Sequence, residues 1–420
     1  MIQNIKGMPD ILADETPIWR FVEDTLRSIL ETYAYEEIRT PIMEETSLFV
    51  RTVGETSDIV GKEMYSFIDQ GETNITLRPE GTAPVMRAYL QHHLGQQSSF
   101  SKLYYIGPMF RRERPQKGRL RQFHQIGAEA IGSSDPWVDV EMIAVLMEIC
   151  QRFKLPELRL EINSLGDAQT RTNFREVLKK YFQKHASKLS DGEKVRLEKN
   201  PLRLLDSKNP DLATIIQDAP NILEHLTPDS KKHFDQVLNG LNAAGIPYVV
   251  NNRIVRGLDY YCHTAFEIMA GNLGSQNSVG GGGRYDTLSK DLGDKEIPAI
   301  GFAMGLERVI LSIEERLKTE LTRKKRIEII ALDEKARELA FTTAQKLRSE
   351  LNDKMTIDLQ FDTKNMKKAL QLADKNKADF VCIIGEDELK NKKLTIKDLH
   401  KREQESISAD GIVKYVKEKL

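Results

Sequence analysis

The 420-residue sequence has only three cysteines, Cys150, Cys262 and Cys382, and none has a C-x-x-C partner. Thiols so few, odd in number and widely spaced argue against a disulfide framework and a thiolate zinc site. No apolar run is long enough to span a bilayer, and the start, MIQNIKGMPDILADE, lacks the basic, apolar and cleavage regions of a secretory signal. A cytoplasmic protein with no membrane contact is the expectation. A dominant charge is also missing, because 62 lysines and arginines against 63 acids leave −1. That balance hides an asymmetry: residues 321–420 hold 23 basic against 18 acidic side chains, net +5, and the remainder carries −6. So small an excess fits an RNA-like partner, but a solvated surface is the plainer reading. Nor is there a G-x-x-x-x-G-K-[ST] phosphate loop, and Gly280–Gly283 does not form G-x-G-x-x-G ahead of a helix. A nucleotide must therefore be held by other means, and the planar, permanently charged guanidinium of arginine is the obvious alternative.

What is present describes a globular chain: 40% hydrophobic and 30% charged, with length for two or three domains. Thr16 as N-cap and Pro17 at the first helical position open a helix in which Ile18, Phe21, Val22, Leu26, Ile29, Leu30 and Tyr33 recur at helical spacing. An extended segment closes at Pro41. Residues 64–131 alternate apolar and polar, which predicts an antiparallel sheet with one covered face, interrupted by a helix over Thr82–Leu94. Another helix is expected over Pro136–Phe153. Residues 166–244 turn charged and helical, as an insertion between two halves of one sheet domain spanning 1–320. The sheet pattern resumes in IPYVVNNRIVRGLDYYCHTAFEIMA and ends at IPAIGFAMGLERV. From 325 to 420, strands and helices alternate as a compact α/β domain, with strands RIEIIALD, MTIDLQFD, DFVCIIGE and KLTIKDL and a last helix from about Ser408.

Five arginines, Arg111, Arg112, Arg114, Arg119 and Arg121, crowd into FRRERPQKGRLRQFHQIGAE around Pro115 and Gly118. A solvated hairpin face would account for them. The same strands, however, carry Phe123, Gln125 and Glu129, which alternation places on one side of the sheet. An aromatic, an amide and a carboxylate beside arginines make the floor of a binding site. Glu80, in LRPEGT, reads by itself as a carboxylate favoured by a helix N-terminus. Gly280–Gly283 reads either as a flexible turn or as backbone that lets a ligand approach closely.

Taken together, TPIMEETSLFVRTVGETSDIV, LRPEGTAPVMRAY, FRRERPQKGRLRQFHQIGAE, VRGLDYY, GGGRYD and IGFAMGLERV resemble the motifs of the class II aminoacyl-tRNA synthetases. Within that class they are similar to the bacterial-type histidyl-tRNA synthetase family, over essentially the whole chain. The resemblance implies an α+β fold: a six-stranded antiparallel sheet with flanking helices, a helical insertion, and a C-terminal α/β anticodon-binding domain. It implies an ATP-dependent ligase that makes histidyl-adenylate and transfers it to tRNA-His, working as a homodimer. Mg2+ would arrive with ATP, and no protein-held metal or prosthetic group is implied. For histidine, the resemblance points to Glu80, Gly81, Thr82, Gln125, Glu129, Tyr261 and Tyr285. Tyr260 is carried in the same set, with a structural role as its competing reading. For ATP it points to Arg111, Arg119, Phe123 and Arg308, and for the tRNA acceptor end to Arg114 and Gln116. Arg256, with Arg111, would be catalytic, bridging the α-phosphate and the histidine carboxylate. A catalytically inactive regulatory subunit of histidine biosynthesis is the alternative, which the retained signatures and tail domain disfavour.

In RGLDYYCHT, Arg256 and Tyr261 are five positions apart and would face opposite sides of a regular strand, although both are assigned to one site. The expectation is therefore that Gly257 breaks the strand, with Tyr261 on the strand proper and Cys262 and His263 structural.

Overall fold

A computed structural model describes the chain apart from residues 55, 56, 58, 117, 208, 256, 257, 272–277, 322, 352, 353 and 361–364 and the side chain of 206. Two compact units emerge, Met1–Lys318 and Thr319–Leu420. In the first, the strands in chain order are β1 (Glu36–Glu37), β2 (Met43–Glu45), β3 (Tyr65–Ile68), β4 (Asn74–Leu77), β5 (Ser101–Phe110), β6 (Gln122–Ile131), β7 (Arg159–Ser164), β8 (Tyr248–Val250), β9 (Cys262–Met269), β10 (Ser278–Arg284) and β11 (Ala299–Gly305). The strands β5, β6, β11, β10, β9 and β7 lie side by side in that order, each antiparallel to its neighbours. Two short strands, β1 beside β5 and β8 beside β7, add parallel edges. The six-stranded antiparallel sheet is thus present, one strand wider at each side than expected.

The expected single sheet over residues 64–131 is two sheets. The segments MYSFID and ITLRPEG form β3 and β4, which pair with β2 in a separate three-stranded sheet, and only β5 and β6 join the large one. Alternation reveals a covered face but not which sheet a hairpin enters.

The N-terminal helix, Thr16–Thr32, buries Ile18, Val22, Leu26, Ile29 and Leu30, while Phe21 on its flank is 39% exposed. At ~1.5–3 kcal/mol per buried aliphatic side chain, this stripe contributes about 10 kcal/mol gross to docking the helix. The N-cap is Glu15 rather than Thr16, and Pro17 is the second helical residue. The helix expected to reach Leu94 ends at Gln91, where His93 takes a left-handed φ of 52° and a short helix, Leu94–Gln97, follows. The helix Pro136–Arg152 starts on an Asp135 cap that accepts the Trp137 amide (2.9 Å) and packs across β6, β9, β10 and β11. Within 166–244, Phe174, Leu178 and Phe182 share one buried cluster with Val85, Met86 and Tyr105. That helical segment is therefore built into the same core as the sheet.

In the second unit, β12 (Lys325–Ala331), β13 (Met355–Gln360), β14 (Phe380–Ile384), β15 (Lys393–Asp398) and β16 (Glu403–Ser408) form one sheet in the order β13-β12-β14-β15-β16, flanked by helices that include Ala336–Leu351 and Met366–Lys375. β16 was not expected from EQESIS, whose one apolar residue, Ile407, gives no alternation. It is an edge strand with nearly every residue exposed. Ser408 closes that strand, and the last helix is Ile412–Lys419.

Candidate active site

The turn from β4 into the helix Thr82–Gln91 is fixed from below by Arg78, which is buried and donates to the carbonyls of Pro108 (2.9 Å) and Thr40 (3.0 Å). Above it, the buried Glu80 carboxylate accepts the amides of Thr82 (2.7 Å) and Ala83 (2.9 Å) and so satisfies two of the helix's free N–H groups. Burial raises its pKa, and these two amides oppose the rise. Thr82 Oγ1 in turn donates to Glu129 Oε1 (2.7 Å), and the Tyr285 hydroxyl donates to Glu129 Oε2. Glu129 is fully buried on β6. Burial pushes its carboxyl up to about 8, while the bonds from Tyr285 and Thr82 pull the other way.

Glycines make room for this arrangement. Gly301 on β11 lies in register opposite Glu129, and a Cβ there would stand 1.7 Å from Glu129 Oε2. Gly81 and Gly127 bracket the Tyr105 ring, with Cβ positions 2.1 and 2.3 Å from its Cζ. Gly280–Gly283 is neither a turn nor a loop but most of β10. There, a Cβ on Gly282 would meet the Gly301 carbonyl at 1.9 Å, and one on Gly283 would meet Tyr261 Cδ1 at 3.0 Å. Neighbouring strands and a pocket tyrosine require the missing Cβ atoms at Gly282 and Gly283, and Gly280 and Gly281 line the adjoining cavity. The two tyrosines of the signature complete the wall: the rings of Tyr260 and Tyr261 are 4.7 Å apart, and Tyr260 meets Tyr285 edge-on at 5.6 Å. Both are buried.

Beside this pocket, a cavity of about 300 Å³ is lined by Arg111, Arg119, Phe123, Gln125, Glu267 and Arg308, among others. The Arg111 guanidinium lies 5.3 Å over the Phe123 ring, and its Nε donates to the Pro79 carbonyl (2.8 Å). Arg119 donates to Glu113 (2.9 Å), and Arg308 donates to the Ser278 carbonyl. Burial lowers the Arg308 pKa, and the Arg119 charge lowers it further. Glu113, Glu267 and Glu307 line the same cavity, so the three guanidinium groups offer local anion contacts rather than a net positive field. Gln125 Oε1 is buried with no hydrogen-bond partner among the described residues.

The expected residues therefore divide. Glu80, Gly81, Thr82, Glu129, Tyr260, Tyr261 and Tyr285 gather at the pocket, and Arg111, Arg119, Phe123, Gln125 and Arg308 line the adjoining cavity. Arg114 and Gln116 are exposed on the hairpin beyond it, where Gln116 bridges to Arg119. Arg256 and Gly257 lie outside the described residues. Tyr261 is not on the strand proper but one residue before β9. Among the described residues of this stretch, an irregularity falls at His263, with φ +44°, and at the register shift opposite Cys262. The Cys262 thiol, pushed up to about 12 by burial, accepts the Asp286 amide (3.4 Å).

Sequence reasoning missed several groups. Tyr105 stands between two glycines on facing elements, a signal readable from glycine inside a strand pattern. Arg284, fully buried, donates to both oxygens of Asp139 (3.0 and 2.8 Å). Burial works against the Asp139 carboxylate, but Arg284 and His233 outweigh it and hold its pKa below the ordinary range. Glu307 accepts the His124 amide (2.8 Å) and meets its ring nitrogen Nδ1 (3.0 Å).

The family described as "Histidyl-tRNA synthetase" matches residues 7–309, and that described as "Anticodon binding domain" matches residues 327–419. A histidine-tRNA ligase of Crocosphaera subtropica is 46% identical over 407 residues, 97% of this chain and 93% of the relative. The crystal structure of the apo histidyl-tRNA synthetase of S. aureus is similar with a TM-score of 0.81 and 37% identity, over 99% of each chain. A Bacillus halodurans protein described as "ATP phosphoribosyltransferase regulatory subunit/histidyl-tRNA synthetase" has a similar fold, with a TM-score of 0.66 at 21% identity.

Proposed function

The chain belongs to the histidyl-tRNA synthetase family, and from that premise we propose how its site divides the work of an ATP-dependent histidine-tRNA ligase. The pocket around Glu129 takes the imidazole, and the arginine-lined cavity takes ATP. An imidazole presents two different nitrogens, and a pocket that reads them with a carboxylate and a phenol leaves polar groups unpaired when another side chain enters. Glu129 and Tyr261 fill those roles, with Tyr285 and Thr82 fixing the carboxylate. Glu80 and Gln125 offer acceptors to the α-amino group. The observation that carries this reading is the Glu129 carboxylate, fully buried and held by two hydroxyl donors at the end of an aromatic pocket.

In the first step the histidine carboxylate attacks the α-phosphorus of ATP in line, the bond to the β-phosphate oxygen breaks, and pyrophosphate leaves. Arg111 and Arg256 counter the charge that builds on the α-phosphoryl oxygens, and Arg119 and Arg308 hold the β- and γ-phosphates. Phe123 supplies a face for adenine. Mg2+ enters as part of the substrate, and Glu267 offers an oxygen ligand in the same cavity. No protein nucleophile is required. In the second step the 3'-hydroxyl of the terminal tRNA adenosine attacks the acyl carbonyl and releases AMP. Arg114 and Gln116, exposed on the hairpin, meet that end of the tRNA, and residues 325–420 meet the anticodon. We place the enzyme in the cytoplasm as a homodimer.

The test is ATP-pyrophosphate exchange with purified protein, followed by charging of tRNA-His. Histidine-dependent exchange is expected, with Arg256→Ala losing most of it while folded. A protein that binds histidine without exchange would instead be a regulatory subunit. Relatives named as ligases across nearly the whole chain weigh against that alternative.

A further inference from the structure

The segment that brings Tyr260 and Tyr261 into the pocket is fastened from outside it. Asp259 Oδ1 accepts hydrogen bonds from Asn200 Nδ2 (2.8 Å) and from Arg203 Nη2 and Nε (2.9 and 3.2 Å). Arg171 Nη1 donates to the Tyr261 carbonyl (2.9 Å) and stands 3.5 Å from that of Asp259. All of these donors belong to the helical segment 166–244: Arg171 on the helix Ala168–Gln183, Asn200 at the end of the helix Asp191–Lys199, and Arg203 in the turn Pro201–Asp206. The Asp259 amide in turn donates to the Val53 carbonyl (3.4 Å). Gly54, with φ +92°, lies so close that a Cβ on it would stand 2.2 Å from Asp259 Oδ2.

Asp259 is therefore clamped between the helical segment and the end of the helix Thr46–Val53, and the next two residues form a wall of the pocket. Three donors converging on the one oxygen Oδ1, two of them from a charged guanidinium, hold the Asp259 side chain in place more firmly than packing alone would. The pair is neither buried nor freely solvated, with Arg203 14% and Asp259 26% exposed, so its geometry is screened only in part.

We propose that Asp259 is a positioning residue, through which the helical segment sets where Tyr260 and Tyr261 stand and so sets the affinity for histidine. This rests on the assignment of the pocket to histidine made above. Its consequence is that any partner that shifts segment 166–244 also tunes amino acid binding, because a displacement of about 1 Å at a positioned group costs on the order of 100-fold.

The experiment is steady-state exchange with the full-length Asp259→Asn, Arg203→Met and Arg203→Lys variants and the Asp259→Asn/Arg203→Met double variant. The KM for histidine should rise roughly 10- to 100-fold in the single variants, with the KM for ATP within about 2-fold. The double variant should be no worse than the weaker single one. Arg203→Lys should recover part of the loss, because an ammonium restores the charge without the fork. Equal changes in both KM values, additive losses in the double variant, or a lowered melting temperature with an unchanged KM for histidine would each overturn the proposal. If the variants do not fold, hydrogen exchange of the wild type decides: histidine should protect residues 258–261 and 200–203 together, and protection confined to 258–261 overturns it. Tyr261→Phe separates the two levels. If its KM for histidine is unchanged, the pocket assignment fails, whereas a shift there with none in Arg203→Met sinks only the joint.

Discussion

Glu129→Gln separates the cost of the histidine pocket from its use. Burial carries the Glu129 carboxyl from an ordinary 4.5 to about 8 in the empty protein. The native state therefore keeps a proton that the unfolded chain releases near 4.5, and between those values the native state binds more protons. Its contribution to stability is fully present below pH 4.5 and is lost as pH rises through about 8. At about 1.4 kcal/mol per pH unit, moving from pH 5.5 to 8.5 crosses enough of this window to cost the first unit about 3 kcal/mol. Glutamine keeps the shape and cannot titrate. Urea unfolding of both proteins without ligand, at pH 5.5 and 8.5, should show the wild type losing about 3 kcal/mol relative to the variant at the higher pH. In exchange assays the same variant should raise the KM for histidine on the order of 100-fold or more, because the amide cannot offer two acceptor oxygens. A stability difference that does not change with pH would refute the reasoning about the buried carboxyl.

Gly301→Ala puts a Cβ 1.7 Å from Glu129 Oε2, so it should destabilise by about 1–3 kcal/mol and weaken histidine binding together, read by thermal melting and the KM for histidine. Arg284→Ala leaves the buried Asp139 carboxylate with His233 as its remaining charged partner and should cost about 3–5 kcal/mol in the urea unfolding free energy of the first unit. Burial pushes the thiols of Cys150, Cys262 and Cys382 up to about 12, so at pH 8 a thiol reagent should leave the native protein unlabelled and react with all three after denaturation.

Part of the sheet was legible because side chains an even number of residues apart share one face of a strand, which places Phe123, Gln125 and Glu129 together on the ten-residue β6. The arginine cavity was legible because no other phosphate-binding device occurs in the sequence. What alternation cannot show is which strands meet. The role of Gly301 depends on β11 lying against β6, more than 160 residues away in sequence, and β3 and β4 belong to a sheet of their own. His263 shows a second limit. Its left-handed backbone inside a strand is imposed by tertiary contacts, with its amide and carbonyl bonded to Gly166 and Leu165, so the break expected at Gly257 has a counterpart that residue type did not announce. The Asp259 joint was invisible for the same reason, since its partners lie in the charged helical segment that read as featureless.

The most direct measurement is a crystal structure with histidine and a non-hydrolysable ATP analogue bound. The imidazole should lie between Glu129 and Tyr261, the α-amino group within hydrogen-bond distance of Glu80 and Gln125, and the α-phosphate against Arg111 and Arg256. An imidazole bound away from Glu129, or phosphates outside the Arg111, Arg119 and Arg308 cavity, would contradict this assignment.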